Sequence, residues 1–364
     1  MKRNTNAVGL AFILAGIACF YFYLQICPYH LLHKEQTLLF IYDSEVLFSY
    51  LNKPAVLSCL AGDYLTQFFR TPVTASILMG GIMLMVGLIY YLLFRKWINS
   101  WLAVIPALII MEWEVMRSCG LLYPLSSSLS LLGGGGMFIL YRSIKNRYLR
   151  MGTGVVGSVL GYGLFGYGVF IFLLFLLISS LIDKKEILWS CLMAVIAIVI
   201  PGICSKNYLL SYSQAYQYPA TSWWDAPNAL YERLVGLDIE ASVENWDKVR
   251  ELSFPNERIS ACSYYYNLAN AAENKLPDRL MDYYQPGAEG LFIPIHSGSS
   301  YLSTLFANEV WFHLGDMTMA EHATLLGMIF SPNHTGSRMV KRLAEINLIN
   351  GDEDRSKHRC DRVL

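Results

Sequence analysis

Residues Pro72–Phe94 read PVTASILMGGIMLMVGLIYYLLF, 23 positions without a charged side chain. At 1.5 Å of rise per residue a helix of this length covers about 34 Å, enough to cross the roughly 30 Å hydrocarbon core of a bilayer. In water such a helix would have no polar face to turn outward. The stretch predicts a membrane-spanning helix, and its neighbours repeat the pattern. Apolar runs of similar length occupy residues 7–26 and 187–204. Two further runs are less regular: 97–119 carries Glu112, Glu114 and Arg117 near one end, and 120–141 is interrupted by Pro124 and by Gly133 to Gly136. The run 151–182 is too long for one untilted span and too short for two, and it reads as a short or re-entrant helix at 152–163 followed by a full span at 164–182. Residues 1–205 therefore read as a helical transmembrane domain of about six spans, with residues 27–71 as a long outer loop.

The averages of the whole chain agree. It has 364 residues, 28 Lys+Arg against 28 Asp+Glu, 54% hydrophobic and only 15% charged positions, where soluble domains carry about 25% charge. Without a basic surplus to displace phosphate counterions a nucleic-acid partner is not expected, and the apolar content excludes a disordered chain. The two parts differ in sign: residues 1–205 hold 14 Lys/Arg and 8 Asp/Glu, residues 206–364 hold 14 and 20. A basic membrane part precedes an acidic, water-soluble one. The eight cysteines are scattered without a zinc or disulfide spacing and read as packing residues.

Positive-inside asymmetry gives the orientation. Lys2 and Arg3, Arg95 and Lys96, and the cluster Arg142, Lys145, Arg147 and Arg150 fall on the inner side, and a hairpin at 151–182 adds Lys184 and Lys185. The last span then delivers residue 206 onward to the outer side; a single crossing at 151–182 would reverse that. The first run is longer than the apolar part of a signal peptide and no small-residue cleavage site follows, so it reads as a retained helix. The expected location is the inner (plasma) membrane, multi-pass, with the lipid bilayer as a partner and the soluble part extracytoplasmic.

After Tyr218 a helical period dominates, cut by Pro, Gly and Asn into short pieces. In 302–333, Gly315, Ala320, Gly327 and Pro332 fall at the offsets of a tetratricopeptide (TPR) hairpin, with Ala320 and Gly327 seven apart on one face. Trp246–Leu252 and Ser260–Ala272 resemble the helices of another hairpin junction, with Tyr264, Tyr265 and Tyr266 filling the groove between them, and 337–348 forms a further helix with Leu343, Ile346 and Ile349 on an apolar stripe. Residues 206–351 thus read as a TPR-like soluble helical domain whose concave groove suits a protein or peptide partner. Residues 352–364, rich in charge and without an amphipathic face, read as a frayed polar tail, either a solubilising end or the mark of an array that stops short of its final hairpin. The fold class is all-α: a multi-span helical membrane domain followed by a soluble TPR-like α-hairpin array.

Five segments carry a family resemblance: Glu35-Gln36 followed by Leu39-Phe40; Asp63 to Phe69, reading DYLTQFF; Trp246-Asp247; Pro286 with Gly290-Leu291; and Lys341 to Gly351, reading KRLAEINLING. Together they resemble an uncharacterised family of bacterial polytopic membrane proteins that join several spans to tetratricopeptide-like hairpins. The resemblance implies architecture and a cell-envelope setting, and no activity.

Two functional readings follow. The first is a membrane protein of the cell envelope with a partner-binding TPR-like domain and no cofactor. The alternative is a glycosyltransferase of the polytopic class that uses a lipid-linked donor (GT-C-like). Such enzymes keep a carboxylate in the first outer loop to deprotonate the acceptor or to ligate a divalent cation on the donor phosphate. Under that alternative Glu35 and Asp63 are the catalytic pair, Arg117 holds phosphate, and a divalent cation is the cofactor. Other motifs read as structure. Glu114 and Arg117 are an i,i+3 pair able to neutralise each other. Gly161-Tyr162-Gly163 is filter-like in letters but offers Gly157 and Gly161 as a small-residue packing face. Gly133 to Gly136 lacks the Lys-Ser/Thr of a phosphate loop. His30 and His33 lack the further ligands of a metal site, and His296, His313, His322 and His334 fit surface or groove positions, so no metal is expected.

Overall fold

The computed structural model describes residues 2–184, 186–254, 258–294, 300–331 and 334–360. Among them every regular element is a helix. The residues form two compact units, one of Met1–Ile26 and Tyr42–Pro227, the other of Cys27–Ile41 and Asn228–Leu364. The reading of 1–205 as one domain differs from this division at two places, each with a local cause. Helix Tyr29–Gln36, expected in an outer loop, packs on helices Ala229–Ser242 and Ser337–Ile349. Glu232 accepts the backbone N–H groups of Tyr29 and His30 at its N-terminus, and Ser337 donates to the carbonyls of Glu35 and Gln36 at its end. Residues 206–227 stay with the first unit, because Tyr216 donates to the Ile198 carbonyl and Thr221 to that of Leu122.

Among the described residues of the first unit three helices are long and apolar enough to cross a membrane: Asn6–Ile26, Pro72–Phe94 and Ile187–Asn207. Their outward faces remain apolar, with Leu10, Ile13, Leu14 and Ile17 each 56–59% exposed. The remaining long helices are Val104–Ser118, Leu125–Ser143, Arg147–Phe165 and Gly168–Asp183. Leu125–Ser143 is the hub, touching Val56–Thr66, Pro72–Phe94, Arg147–Phe165 and Gly168–Asp183. Pro124 precedes its first turn, where proline's missing N–H costs nothing, and the Gly133 to Gly136 run stays helical rather than breaking the element. Glycine costs about 1 kcal/mol of helix propensity, but here it permits contact no side chain would allow. A Cβ on Gly134 would stand 2.2 Å from the Gly168 carbonyl oxygen. The run 151–182 is two helices joined at Gly166, whose φ of +53° turns the chain. Gly161 faces Met137 and Val169, so the filter-like letters sit in a helix–helix contact.

The second unit is built of helical pairs. Ala229–Ser242 packs on Trp246–Ser253, which packs on Ser260–Ala272; Tyr301–His313 pairs with Met317–Phe330, which packs on Ser337–Ile349. Asn228, Ser300 and Asp316 cap their helices with side-chain oxygens, satisfying N–H groups that the helix itself leaves open. The core joins Leu237, Val249, Cys262, Tyr265, Phe306 and Met339. Gly315 takes a φ of +79° between the paired helices, and Ala320 is fully buried. A Cβ on Gly327 would lie 3.2 Å from Met339 Sδ. Pro332, His296 and Lys185 lie outside the described residues.

The end of the chain differs from the frayed tail expected after Gly351. Gly351 reverses the backbone at a φ of +77°, Asp352 caps the Arg355 N–H, and helix Glu353–Cys360 follows. Ser356 donates to the Ala344 carbonyl at 3.0 Å, tying that helix to Ser337–Ile349. On the stripe of the latter Leu343 and Ile346 are fully buried while Ile349 is 57% exposed.

Candidate functional site

Of the residues singled out in the sequence, Glu35 belongs to the second unit and Asp63 and Arg117 to the first. Glu35 is half-buried near the end of helix Tyr29–Gln36. Asp63, on helix Val56–Thr66, accepts the Tyr50 hydroxyl at 2.8 Å. Burial pushes its carboxyl up to about 6, against the Tyr50 hydrogen bond and the Lys53 charge that favour ionisation.

Arg117 is completely enclosed. Its Nη1 donates to Glu114 Oε2 at 2.9 Å and its Nη2 to Ser127 Oγ at 3.2 Å, while the rings of Trp113, Tyr123, Tyr167 and Trp223 lie 4.4–5.7 Å from the guanidinium carbon. Glu114 is equally enclosed and accepts hydroxyls from Tyr123 and Ser128. Helix Val104–Ser118 supplies the pair, and the serine-rich first turn of Leu125–Ser143 supplies hydroxyls at its side. Glu112 points away and is exposed. This arrangement is a neutralised ion pair inside a cage of aromatic faces, where each ring adds a cation–π contact.

The second unit carries a buried charge lattice that reasoning from the sequence did not single out. Arg338 donates to both oxygens of Asp238 and, at 2.7 Å, to Glu309 Oε1; Arg342 donates to both Glu309 oxygens at 2.9 and 3.0 Å. Tyr265 donates to Asp238 at 2.6 Å, and Gln36 accepts from Arg338 at 3.3 Å. Asp238 and Glu309 are fully buried. Burial alone would raise the Glu309 carboxyl, but the Arg338 and Arg342 guanidiniums override it and hold it below the ordinary carboxylate range. Five helices meet at these side chains. A signal was present: Asp238 stands between Leu237 and Ile239, and Glu309 precedes Val310 and Trp311. Charge in the middle of an apolar stripe needs a buried partner.

Next to the lattice, a cavity of about 620 Å³ opens between the helical pairs, walled by Trp246, Leu268, Leu276, Leu291, Phe292 and Val310. His313 is at its edge, edge-on to Trp246 at 5.3 Å, with its Nε2 3.8 Å from Glu309 Oε2. Phe292 stacks on Trp311 at 5.1 Å. The walls are apolar and aromatic with a few polar groups at the rim, the composition of a site for an apolar side chain of a ligand.

Among the described residues Cys27, His30 and Glu232 bring a thiol, an imidazole and a carboxylate within 4.8 Å of one another, a set that could hold a metal ion. The Glu232 carboxylate is already engaged with two backbone N–H groups. His33 Nε2 lies 3.0 Å from the Tyr301 hydroxyl.

A family model described as Family of unknown function (DUF6057) matches residues 3–357, a span that runs through both units. The chain belongs to this family. No curated protein and no solved structure matches it.

Proposed function

We propose that the chain is a multi-pass protein of a bacterial inner membrane whose second unit is a TPR-like array that receives an apolar segment of a protein or peptide partner on the extracytoplasmic side. The observation that carries this reading is the aromatic-walled cavity among the helical pairs of the second unit, in a chain whose first unit holds three helices able to cross a membrane. Helical-hairpin arrays bind in this manner because a concave, preformed surface spares the partner most of the ordering cost of binding. Dedicating Arg117 and Glu114 to each other also favours the scaffold, since the guanidinium assigned to phosphate under the enzyme alternative is enclosed by rings.

A photoreactive residue at Ala272, which lines the cavity, tests the proposal in intact cells. The expected result is a discrete cross-linked adduct that is absent when the group is placed at Lys341, 75% exposed and away from the cavity, and that is lost in an Ala271→Arg background. Equal adducts from both positions would overturn the reading. A phosphatase fusion at Ala220 reports the side, and an inactive fusion would put the array in the cytoplasm.

One observation favours the glycosyltransferase alternative: the half-buried Asp63 carboxyl, raised to about 6, is poised for proton transfer near neutral pH. Under that reading Asp63→Asn lowers sugar transfer roughly 10²-fold or more. Unchanged transfer in the variant would exclude Asp63 from the chemistry.

A further inference from the structure

At one end of the first unit four helix termini come together, where Leu125–Ser143 gives way to Arg147–Phe165 and Gly168–Asp183 to Ile187–Asn207. A cavity of about 390 Å³ lies among them, lined by Arg142, Arg150, Ser179, Ser180, Ser190 and Glu186 together with the flanks of Phe138, Tyr141 and Leu176. The two arginines are under-used. A guanidinium carries five N–H donors. Arg142 lies 5.9 Å over the Trp97 ring, and its Nη1 is buried with no hydrogen-bond partner among the described residues. Arg150 gives Nη2 to Glu186 Oε1 at 3.2 Å, but its Nε is likewise buried and unmatched. The carboxylate lining the cavity, Glu186, is shared with Arg147 at 3.1 Å, so the lining carries more positive than negative charge.

Buried N–H groups without an acceptor destabilise the fold, and a dianionic or monoanionic oxygen cluster would relieve that cost. Two guanidiniums around one opening have the chemistry for a tetrahedral oxyanion, with forked donors for the charge and the Ser190 hydroxyl in the same lining; the Ser180 hydroxyl is already given to the Leu177 carbonyl. We propose that this cavity binds a phosphate group, held by Arg142 and Arg150, and that its source is the headgroup of an anionic lipid. The lipid source rests on the membrane reading of the first unit. It follows from the position of the cavity at the basic end of apolar helices, where pockets between spans collect anionic headgroups, and from the apolar flank that Leu176 and Phe138 offer to an acyl chain.

The test uses the full chain purified in a neutral detergent, with native mass spectrometry reading retained lipid. Phosphatidylglycerol should be retained in preference to phosphatidylcholine of the same acyl chains, and added inorganic phosphate should displace it. Arg142→Gln and Arg150→Gln should each weaken retention roughly tenfold or more, whereas Arg95→Gln, an exposed change that does not line the cavity, should leave it within twofold. Binding of inorganic phosphate that depends on Arg142 and Arg150, without lipid preference, would uphold the site and make its source a soluble phosphate. Equal retention of the two lipids by the wild-type chain together with no phosphate binding would overturn the proposal, and needs no variant to fold. Extraction of the chain from membranes by alkaline carbonate would defeat the membrane reading separately, with the phosphate arm still deciding the cavity.

Discussion

Replacing Arg338 by methionine removes the guanidinium at the centre of the second unit while keeping an unbranched side chain of similar reach. Asp238 then keeps the Tyr265 hydroxyl on one oxygen and loses the donors that Arg338 gave to both. Glu309 retains Arg342. The damage is therefore concentrated on Asp238, a carboxylate with no exposed surface. Breaking a buried pair from one side costs about 3–5 kcal/mol, because the remaining charge is neither hydrated nor paired. Domains of this size have about 5–15 kcal/mol in hand and lose roughly 2–4 °C of melting temperature per kcal/mol. A drop of roughly 6–20 °C is expected.

The buried Cys262 thiol in the same core gives the readout. Its alkylation, followed peptide by peptide along a temperature ramp of the detergent-solubilised chain, reports opening of the second unit whatever the first unit does. A rescue is also expected. Asp238→Leu in the Arg338→Met background removes the stranded charge and should recover most of the loss, since an apolar replacement of a buried pair is often neutral or stabilising. A loss below about 1 kcal/mol for Arg338→Met, or a double variant less stable than the single one, would refute the claim that charge burial dominates here.

Three further outcomes are expected. Ala320→Leu, at a fully buried position between paired helices, should cost about 1–3 kcal/mol by overpacking; an unchanged Cys262 alkylation midpoint would contradict the packing described. Ile346→Lys should unfold the last helical layer and Ile349→Lys should leave stability within about 0.5 kcal/mol, because the first side chain is fully buried and the second 57% exposed; equal effects would argue against the packing of helix Glu353–Cys360. Burial, and then the charges of Arg338 and Lys34, pull the His33 imidazole down to about 3, so it stays neutral in the fold while the unfolded chain takes up a proton near pH 6.5. Stability should therefore fall as pH drops from about 6.5 toward 3, by up to about 1.4 kcal/mol per pH unit, and His33→Gln should flatten that slope; parallel profiles for variant and wild type would refute the assignment.

What could be read from the sequence follows the range over which each signal acts. The all-helical class and the apolar runs at Asn6–Ile26, Pro72–Phe94 and Ile187–Asn207 are local, set by period and composition. So is the turn at Gly315, which needs only a residue tolerant of positive φ. The glycine run 133–136 misled because glycine's propensity cost is local, whereas the gain, close approach to Gly168, comes from another helix. The same holds for Glu35. Its loop position was visible, but the capping carboxylate of Glu232, some two hundred residues away, decides that helix Tyr29–Gln36 joins the second unit. Helix Glu353–Cys360 was hidden for a similar reason, since Ser356 finds its acceptor on the preceding helix.

The three arginine clusters show what separates a structural cation from a binding one. All of them lie in apolar surroundings, and sequence position alone favours Arg117 as the phosphate ligand because it ends a hydrophobic run. Charge pairing reverses the order. Arg117 reaches Glu114, Ser127, Tyr167 and the Ser222 carbonyl through its two terminal nitrogens and is walled by four rings, so an incoming anion would have to displace its own counterion. Arg338 and Arg342 are matched by two carboxylates that no water reaches. Arg142 and Arg150 share less than one carboxylate between them and keep unmatched N–H groups at the edge of an open cavity. Desolvating a guanidinium is tolerable only when its donors are used. Arg117 and Arg338 also keep a buried Nε without a partner among the described residues, so what sets the third cluster apart is its incompletely paired charge beside an open cavity, the place where a ligand completes the structure.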